Sequence, residues 1–401
     1  MRVVLAPMEG VLDHLMRDLL TKVGGYDLCV TEFVRVVDQL ISDKAFFRTC
    51  PELINANAYG STTEAGTPVR VQLLGQNPSC MADNAAKVIE LGSHGVDVNF
   101  GCPSKMVNNN RGGAILLKDP DNLYQIVSAI KRAVPDETVV SAKIRLGYED
   151  KSLAIENAQA IEAAGANQLT VHARTKVEGY RPPAHWEWIA KIKQAVSIPV
   201  IANGDIFNQI DAQKCREVSG CQDIMVGRGA LMMPNLAQVI KQQAPVLPWH
   251  KVQALLLNYT CFETYGDKSK YYPNRIKQWL KYLKLQYAEA DLLFQEIRTL
   301  KTAKEIIQQI YKDIQLGVSK EKCIVNFLYT LASSIIEIAK KKKFKHIACS
   351  GGVFQNTTLV DMLLELAPKE LNLYFHKNLS PNDENVSFGQ LMYYLHIKND
   401  K

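Results

Sequence analysis

The chain has 401 residues, of which 47% are apolar and 22% charged. This ordinary globular composition excludes disordered, collagen-like and fibrous classes and allows about two or three domains. Its 47 basic and 41 acidic residues leave a formal charge of +6, which permits a polyanionic partner without demanding one.

Short β-branched runs recur from the start of the chain, each followed by a helix-like stretch. Strands are expected at 3–7, 28–32, 69–74, 96–99, 139–145, 168–172, 199–202 and 223–226, with helical patterns such as 81–91, 122–133 and 153–164 between them. Most of these runs are continuously apolar, as parallel strands covered on both faces are. Eight β/α units predict a TIM barrel over residues 1–248. A doubly wound sheet is the alternative, but no G-x-G-x-x-G follows the first strand.

Residues 249–308 carry no strand run. They read as a small helical domain, with Arg275, Lys277, Lys281, Lys284 and Arg298 set among aromatic residues. From about 309 the chain starts again, with a helix at 324–339, a lysine run at 340–345, a strand at 346–350, a helix at 359–366 and a strand at 371–375. No arginine follows Arg298, whereas 14 lysines do. That shift marks the last part as different in history from the rest. The lysine run reads as a solvated helix end, where cations suit the helix dipole.

The nine cysteines contain no C-x-x-C spacing and no zinc knuckle. They resemble no disulfide framework, so a reduced, cytoplasmic setting is expected. The opening residues show no signal-peptide pattern. No stretch approaches the ~20 apolar residues of a membrane span.

In a TIM barrel the chemistry sits at the C-terminal ends of the strands. Those ends read APMEG (6–10), VQLLG with Gln72, NFGCPSK (99–105), Lys143 with Arg145, HARTK with His172, ANGD (202–205) and GRGAL (227–231). The glycines of the last two loops let backbone N–H groups approach a phosphate. Lys143, His172 and Arg228 supply positive charge, and Gln72 and Asn203 suit a heterocycle's carbonyls and ring nitrogens. Singly, each has a structural reading: a tight turn at 227–229, a core histidine, a snorkelling lysine, a structural Cys102. Their joint placement at successive strand ends favours a site for a phosphorylated planar cofactor.

The motifs APMEGVLD, TEFVRVVDQL, VQLLGQNP, VDVNFGCPSKMV, KIRLGY, LTVHARTKVEGY, IPVIANGDI and IMVGRGAL, in that order, resemble bacterial tRNA-dihydrouridine synthases over residues 1 to about 308. RIKQWLKYL (275–283) and FVRVVDQL look like the C subtype, which modifies uridine 16. The resemblance implies a cytoplasmic, FMN-dependent reduction of a uridine C5–C6 double bond in tRNA, with NADPH as electron donor and no obligate protein partner. It implies Cys102 as the proton donor to C5, a role suited to a thiol with a pKa of about 8.5. By motif the FMN contacts are Pro7, Met8, Glu9, Gln72, Lys143, His172, Asn203, Gly204, Asp205, Gly227 and Arg228. The tRNA contacts are Arg35, Asn99, Arg275, Lys277 and Arg298. One departure is Arg111, where the family's run after GCPSK carries small residues.

In the tail, SGGVFQN (350–356) and PNDENVSFGQ (381–390) resemble the C-terminal end of the hydrogenase-maturation carbamoyltransferase, a partial α/β fragment of an ASKHA-like fold. Asp383 matches a metal ligand there, but Asp383-Glu384-Asn385 stands where that family has Asp-Gly-Gly. No two of the eight histidines are four residues apart, so its His-x-x-x-His pair is missing. Residues 309–401 are therefore expected to be a truncated fragment without activity or metal, whether a degenerate fusion or a joining of unrelated sequences. Two further readings of the whole chain stand beside the tRNA enzyme. One is a small-substrate FMN oxidoreductase of the dihydroorotate dehydrogenase type. The other is an inactive binding or scaffold fusion carrying the carbamoyltransferase-like tail.

Overall fold

The computed structural model describes residues 1–56, 60–264, 271–316, 320–349 and 351–375. The chain forms two compact units, Met1–Ile310 and Tyr311–Lys401. The helical segment expected at 249–308 thus belongs to the same unit as the barrel. The division falls inside the helix Ala303–Leu316.

In the first unit, β1 (Val3–Leu5), β2 (Leu28–Arg35), β3 (Val69–Leu74), β4 (Val96–Phe100), β5 (Val140–Arg145), β6 (Gln168–His172), β7 (Val200–Asn203) and β8 (Ile224–Val226) close into a parallel barrel. Closure comes from β1 pairing with β8, Val3 with Ile224 through Leu5 with Val226. Helices connect the strands and start where the sequence supplies caps. Asp13, Asn77, Asp119 and Asn208 each accept a backbone N–H with the side chain, and Pro78 and Pro120 stand in first turns, where no N–H is needed.

The barrel interior has two chemistries. Val4, Ala6, Leu28, Val30, Ile201 and Met225 form an apolar cluster on the β1, β2, β7 and β8 side. The opposite side is polar. Arg70 on β3 donates to Ser141 on β5 at 3.0 Å and to Gln168 on β6 at 3.3 Å. Neither strand neighbours β3, so these side chains meet inside the barrel. The strands around them read as apolar in sequence because their outward residues pack under the helices.

Beyond the barrel come helices Trp249–Thr264, Tyr272–Leu283 and Ala288–Ile297. The second buries Tyr272, Ile276, Trp279, Leu280 and Leu283, one face at helical spacing. Trp279 is the anchor. Its indole Nε1 donates to the Leu231 carbonyl at 3.1 Å, and its ring meets Tyr259 edge-on at 5.5 Å.

The second unit pairs β9 (His346–Cys349) with β10 (Asn372–Phe375) in parallel. Leu328, Ala332, Ile336 and Ala339 of the helix Lys320–Lys342 pack with Leu359, Leu363 and Leu371. Lys340, Lys341 and Lys342 close that helix and are exposed, as expected of a solvated end. Ile324, Phe327 and Ile338 on the same helix remain exposed. Ser350 and the whole of 381–390, including Asp383, lie outside the described residues.

Trp279→Ala removes a buried indole, its hydrogen bond and its ring contact. It is expected to lower stability by about 3–5 kcal/mol, read as an earlier urea midpoint in the unfolding curve.

Candidate functional site

A cleft of about 700 Å³ opens at the C-terminal end of the barrel, within the range of small-molecule sites. Cys102, Pro7, Met8, Glu9, Gln72, Lys143, His172, Asn203, Gly204, Asp205, Gly227 and Arg228 all line it, with Asn99. Strand register explains the convergence. Asn99 pairs with Lys143, Arg145 with His172, and His172 with Asn203. Adjacent parallel strands therefore end in one ring of polar side chains.

The floor is a fixed hydrogen-bond chain. Asp97 accepts from Ser141 Oγ at 2.5 Å and from Gln72 Nε2 at 2.7 Å. Gln72 Oε1 accepts from Asn99 Nδ2 at 2.8 Å, and Asn99 Oδ1 accepts the Gly101 N–H at 2.9 Å. Each amide orientation follows from its neighbour. Burial raises the Asp97 carboxyl against these donors and the nearby cations.

The walls are strongly cationic. Burial, then the Arg145 guanidinium, lowers Lys143 to about 8. Burial and then Arg145, Lys143, Arg174 and Arg228 hold His172 well below its ordinary range, so its imidazole is neutral and does not supply the positive charge expected of it from the sequence. Its Nδ1 is buried and has no hydrogen-bond partner. Asp205 gathers two of the cations, Arg228 at 3.1 Å and Arg174 in a shorter contact. Tyr180 sits between Arg145 and Arg228, with guanidinium carbons 5.2 and 4.9 Å from its ring centroid, and meets His172 edge-on.

Gly227 keeps the cleft wall beside Met8 bare. A Cβ there would stand 3.1 Å from Met8 Sδ. Gly113, at φ +68°, plays the matching part behind Cys102, where a Cβ would stand 2.9 Å from the Cys102 carbonyl. The Cys102 carbonyl also accepts from Asn108 Nδ2 at 2.9 Å and the Ala114 N–H at 3.1 Å. Cys102 itself is buried beside Leu74, Val107 and Phe33. Burial raises its thiol, with Glu9 adding to the shift and Arg145 and Lys143 opposing it.

This donor set fits a phosphorylated heterocycle. It offers an unpartnered imidazole nitrogen, amides fixed at Gln72 and Asn203, cations at Lys143 and Arg228, and glycine-lined backbone at 204 and 227. Asn203 Nδ2 is held by the Met225 carbonyl at 2.8 Å, which leaves its oxygen toward other partners.

The residues assigned to tRNA are spread out. Asn99 is in the floor. Arg35 ends β2, half-buried, and its charge acts on Glu9. Arg275 is ion-paired with Asp13, and Lys277 donates to the Leu300 carbonyl. Arg298 is exposed at the end of Ala288–Ile297. Arg111 is also exposed, at φ 55°.

Arg145, Tyr180, Phe33, Phe207 and Tyr282 line the cleft as well without having been singled out as site residues. Arg145 was legible, because it follows Lys143 by two on one strand and so shares its face. Tyr180 lies in the loop after β6, eight residues past His172, whereas Tyr282 is on a helix beyond the barrel and only packing brings it in. The shifted thiol has a direct check. Iodoacetamide labelling of Cys102, followed by peptide mass spectrometry, is expected to be slow at neutral pH and to keep accelerating above pH ~8.5, where an ordinary cysteine is half ionised.

Residues 4–318 match the dihydrouridine synthase (Dus) family. Residues 269–390 match the carbamoyltransferase, Kae1-like domain, second subdomain. Among curated relatives, the tRNA-dihydrouridine(16) synthase of Shewanella oneidensis is 58% identical over 308 residues, 77% of this chain and 96% of that protein. The enzymes of the same name from Vibrio cholerae and Escherichia coli K12 are each 54% identical, over 78% and 77% of this chain and 96% and 98% of their own lengths. The barrel, the cleft at its C-terminal end and these matches together make the chain a member of the dihydrouridine synthase family.

Proposed function

We propose that the chain reduces the C5–C6 double bond of a uridine in tRNA, position 16, to dihydrouridine. The observation that carries this reading is the convergence of Cys102 with the cationic, amide-bearing cofactor set in one cleft. FMN, when bound and reduced at the expense of NADPH, supplies the hydride for C6. The chain's residues do the rest. Gln72, Lys143, His172 and Asn203 would hold the heterocycle. The backbone at Gly204, Asp205 and Gly227 with the Arg228 guanidinium, itself braced by the Asp205 carboxylate, would hold the phosphate. Pro7, Met8 and Glu9 form the facing rim.

Cys102 delivers the proton to C5. Its raised pKa suits a donor, because the thiol is protonated at neutral pH and so carries the proton the step consumes. The uridine must leave its stack to reach the cleft. Asn99 lines that cleft, and Arg35, Lys277 and Arg298 are the side chains proposed to meet the RNA around it.

Nucleoside mass spectrometry of tRNA from cells lacking dihydrouridine synthases tests the reaction. Expression of the full chain, or of residues 1–310, is expected to restore dihydrouridine; restoration by neither sinks the proposal. Cys102→Ala is expected to keep its flavin and lose about 10²–10⁴-fold in rate. Modification at the wild-type rate removes Cys102 from the mechanism.

Lys143 makes cofactor binding pH-dependent. Its cation is present below about 8 and lost above. FMN affinity should therefore fall as pH rises through that value, and Lys143→Met should flatten the profile in a fluorescence titration.

A further inference from the structure

The helix Tyr272–Leu283 reaches Asp13 through Arg275 and the Leu231 carbonyl through Trp279. Arg275 sits near its start. The Arg275 guanidinium lies 2.6 Å from Asp13 Oδ2, with the two side chains 19% and 8% exposed. Its Nε donates to the Tyr259 hydroxyl at 2.7 Å.

Asp13 is the N-cap of the helix His14–Val23, accepting the Met16 N–H at 3.2 Å. It ends the loop that carries Pro7, Met8 and Glu9. The middle of that loop is held from β2, where Glu32 Oε1 accepts the Gly10 N–H at 2.5 Å. The Glu32 carboxyl is raised by burial, against the pull of the Gly10 N–H and of Arg17 and Arg275. Arg275 therefore pairs with one carboxylate of this rim and acts electrostatically on a second.

Four residues on, Trp279 holds the Leu231 carbonyl in the helix Arg228–Met232, which continues the loop at Gly227-Arg228. Three residues further, Tyr282 lines the cleft. A gap of about 10 Å³ beneath this helix is bordered by Val11, Leu231, Arg275 and Trp279. That is room for about one water.

We propose that Arg275 is a positioning residue for the cofactor, acting through Asp13 to hold the β1 loop, so that this helix sets the width of the cleft. The proposal rests on the flavin reading above and reassigns a residue that motif resemblance gives to the RNA. Two of the Arg275 nitrogens are committed, Nη2 to Asp13 and Nε to Tyr259, and the side chain is 19% exposed. Its charge is thus taken up largely by a buried carboxylate that would be left uncompensated without it.

The test measures FMN affinity without RNA, by flavin fluorescence, beside the salt dependence of tRNA binding. Arg275→Met is expected to raise the FMN dissociation constant about tenfold or more while leaving the salt slope of tRNA binding unchanged. Arg275→Lys, which keeps the cation, is expected to recover most of the loss. Asp13→Asn keeps the helix cap but not the charge, and should weaken FMN as Arg275→Met does. Combining the two should add little, because both break one interaction.

Unchanged FMN affinity in Arg275→Met, with a salt slope smaller by about one, makes Arg275 an RNA contact and overturns the proposal. If Arg275→Met fails to fold by circular dichroism, Asp13→Asn decides, and wild-type FMN affinity there overturns it equally. A wild-type chain that binds no FMN overturns the flavin reading instead.

Discussion

Asp97 is a carboxylate inside a barrel, and burying it requires that every lone pair find a donor. Ser141 and Gln72 supply them, from the strands on either side. Once Gln72 Nε2 is committed to Asp97, its oxygen must face Asn99, and Asn99 must turn its own oxygen to the Gly101 N–H. One buried charge thus orients two amides and the backbone leading into Cys102. The cleft floor is set before any ligand arrives, which is the preorganisation a binding site needs.

The walls follow a different logic. Lys143, Arg145 and Arg228 stand round one space, with Asp205 taking up part of the charge. Tyr180 offers its ring to two guanidiniums. Burial, and after it repulsion by the neighbouring cations, keeps His172 neutral and brings Lys143 down to about 8, still charged at neutral pH. An anionic ligand relieves this repulsion, so the same arrangement that strains the empty wall favours binding. Cys102 stands apart from that relief, in an apolar niche that keeps its proton on.

The second unit has less to hold it. Parallel strands normally lie within larger sheets covered on both faces, but among the described residues β9 and β10 form a two-stranded sheet. The helix Lys320–Lys342 buries Leu328, Ala332 and Ile336 yet exposes Ile324 and Phe327. This is the exposed apolar surface expected of a fragment. It agrees with a match to a second subdomain only.

The sequence by itself determined the barrel. Eight apolar runs alternating with helix-like stretches, with no G-x-G-x-x-G after the first, favour a closed parallel barrel over a doubly wound sheet, and strand-end motifs mark its chemical face. Gln72, Lys143, His172, Asn203, Arg228 and the glycines of the last two loops could be read this way, because the C-terminal end of a barrel strand has a place set by the fold. Pro7, Met8, Glu9, Asp205 and the role of Cys102 came instead from the motifs' resemblance to the family. The break in composition after Arg298 also announced the tail. Tertiary structure decided the rest. Tyr282 enters the cleft from a helix beyond the barrel, a placement that strand-end position does not signal. The helical segment 249–308 proved part of the barrel's unit, since Trp279 is buried against Leu231. Arg275, basic and beside aromatics, reads as a surface contact until its partner is seen. Whether a cation faces solvent, RNA or a buried carboxylate depends on which side chain lies opposite, and Asp13 is more than 250 residues away.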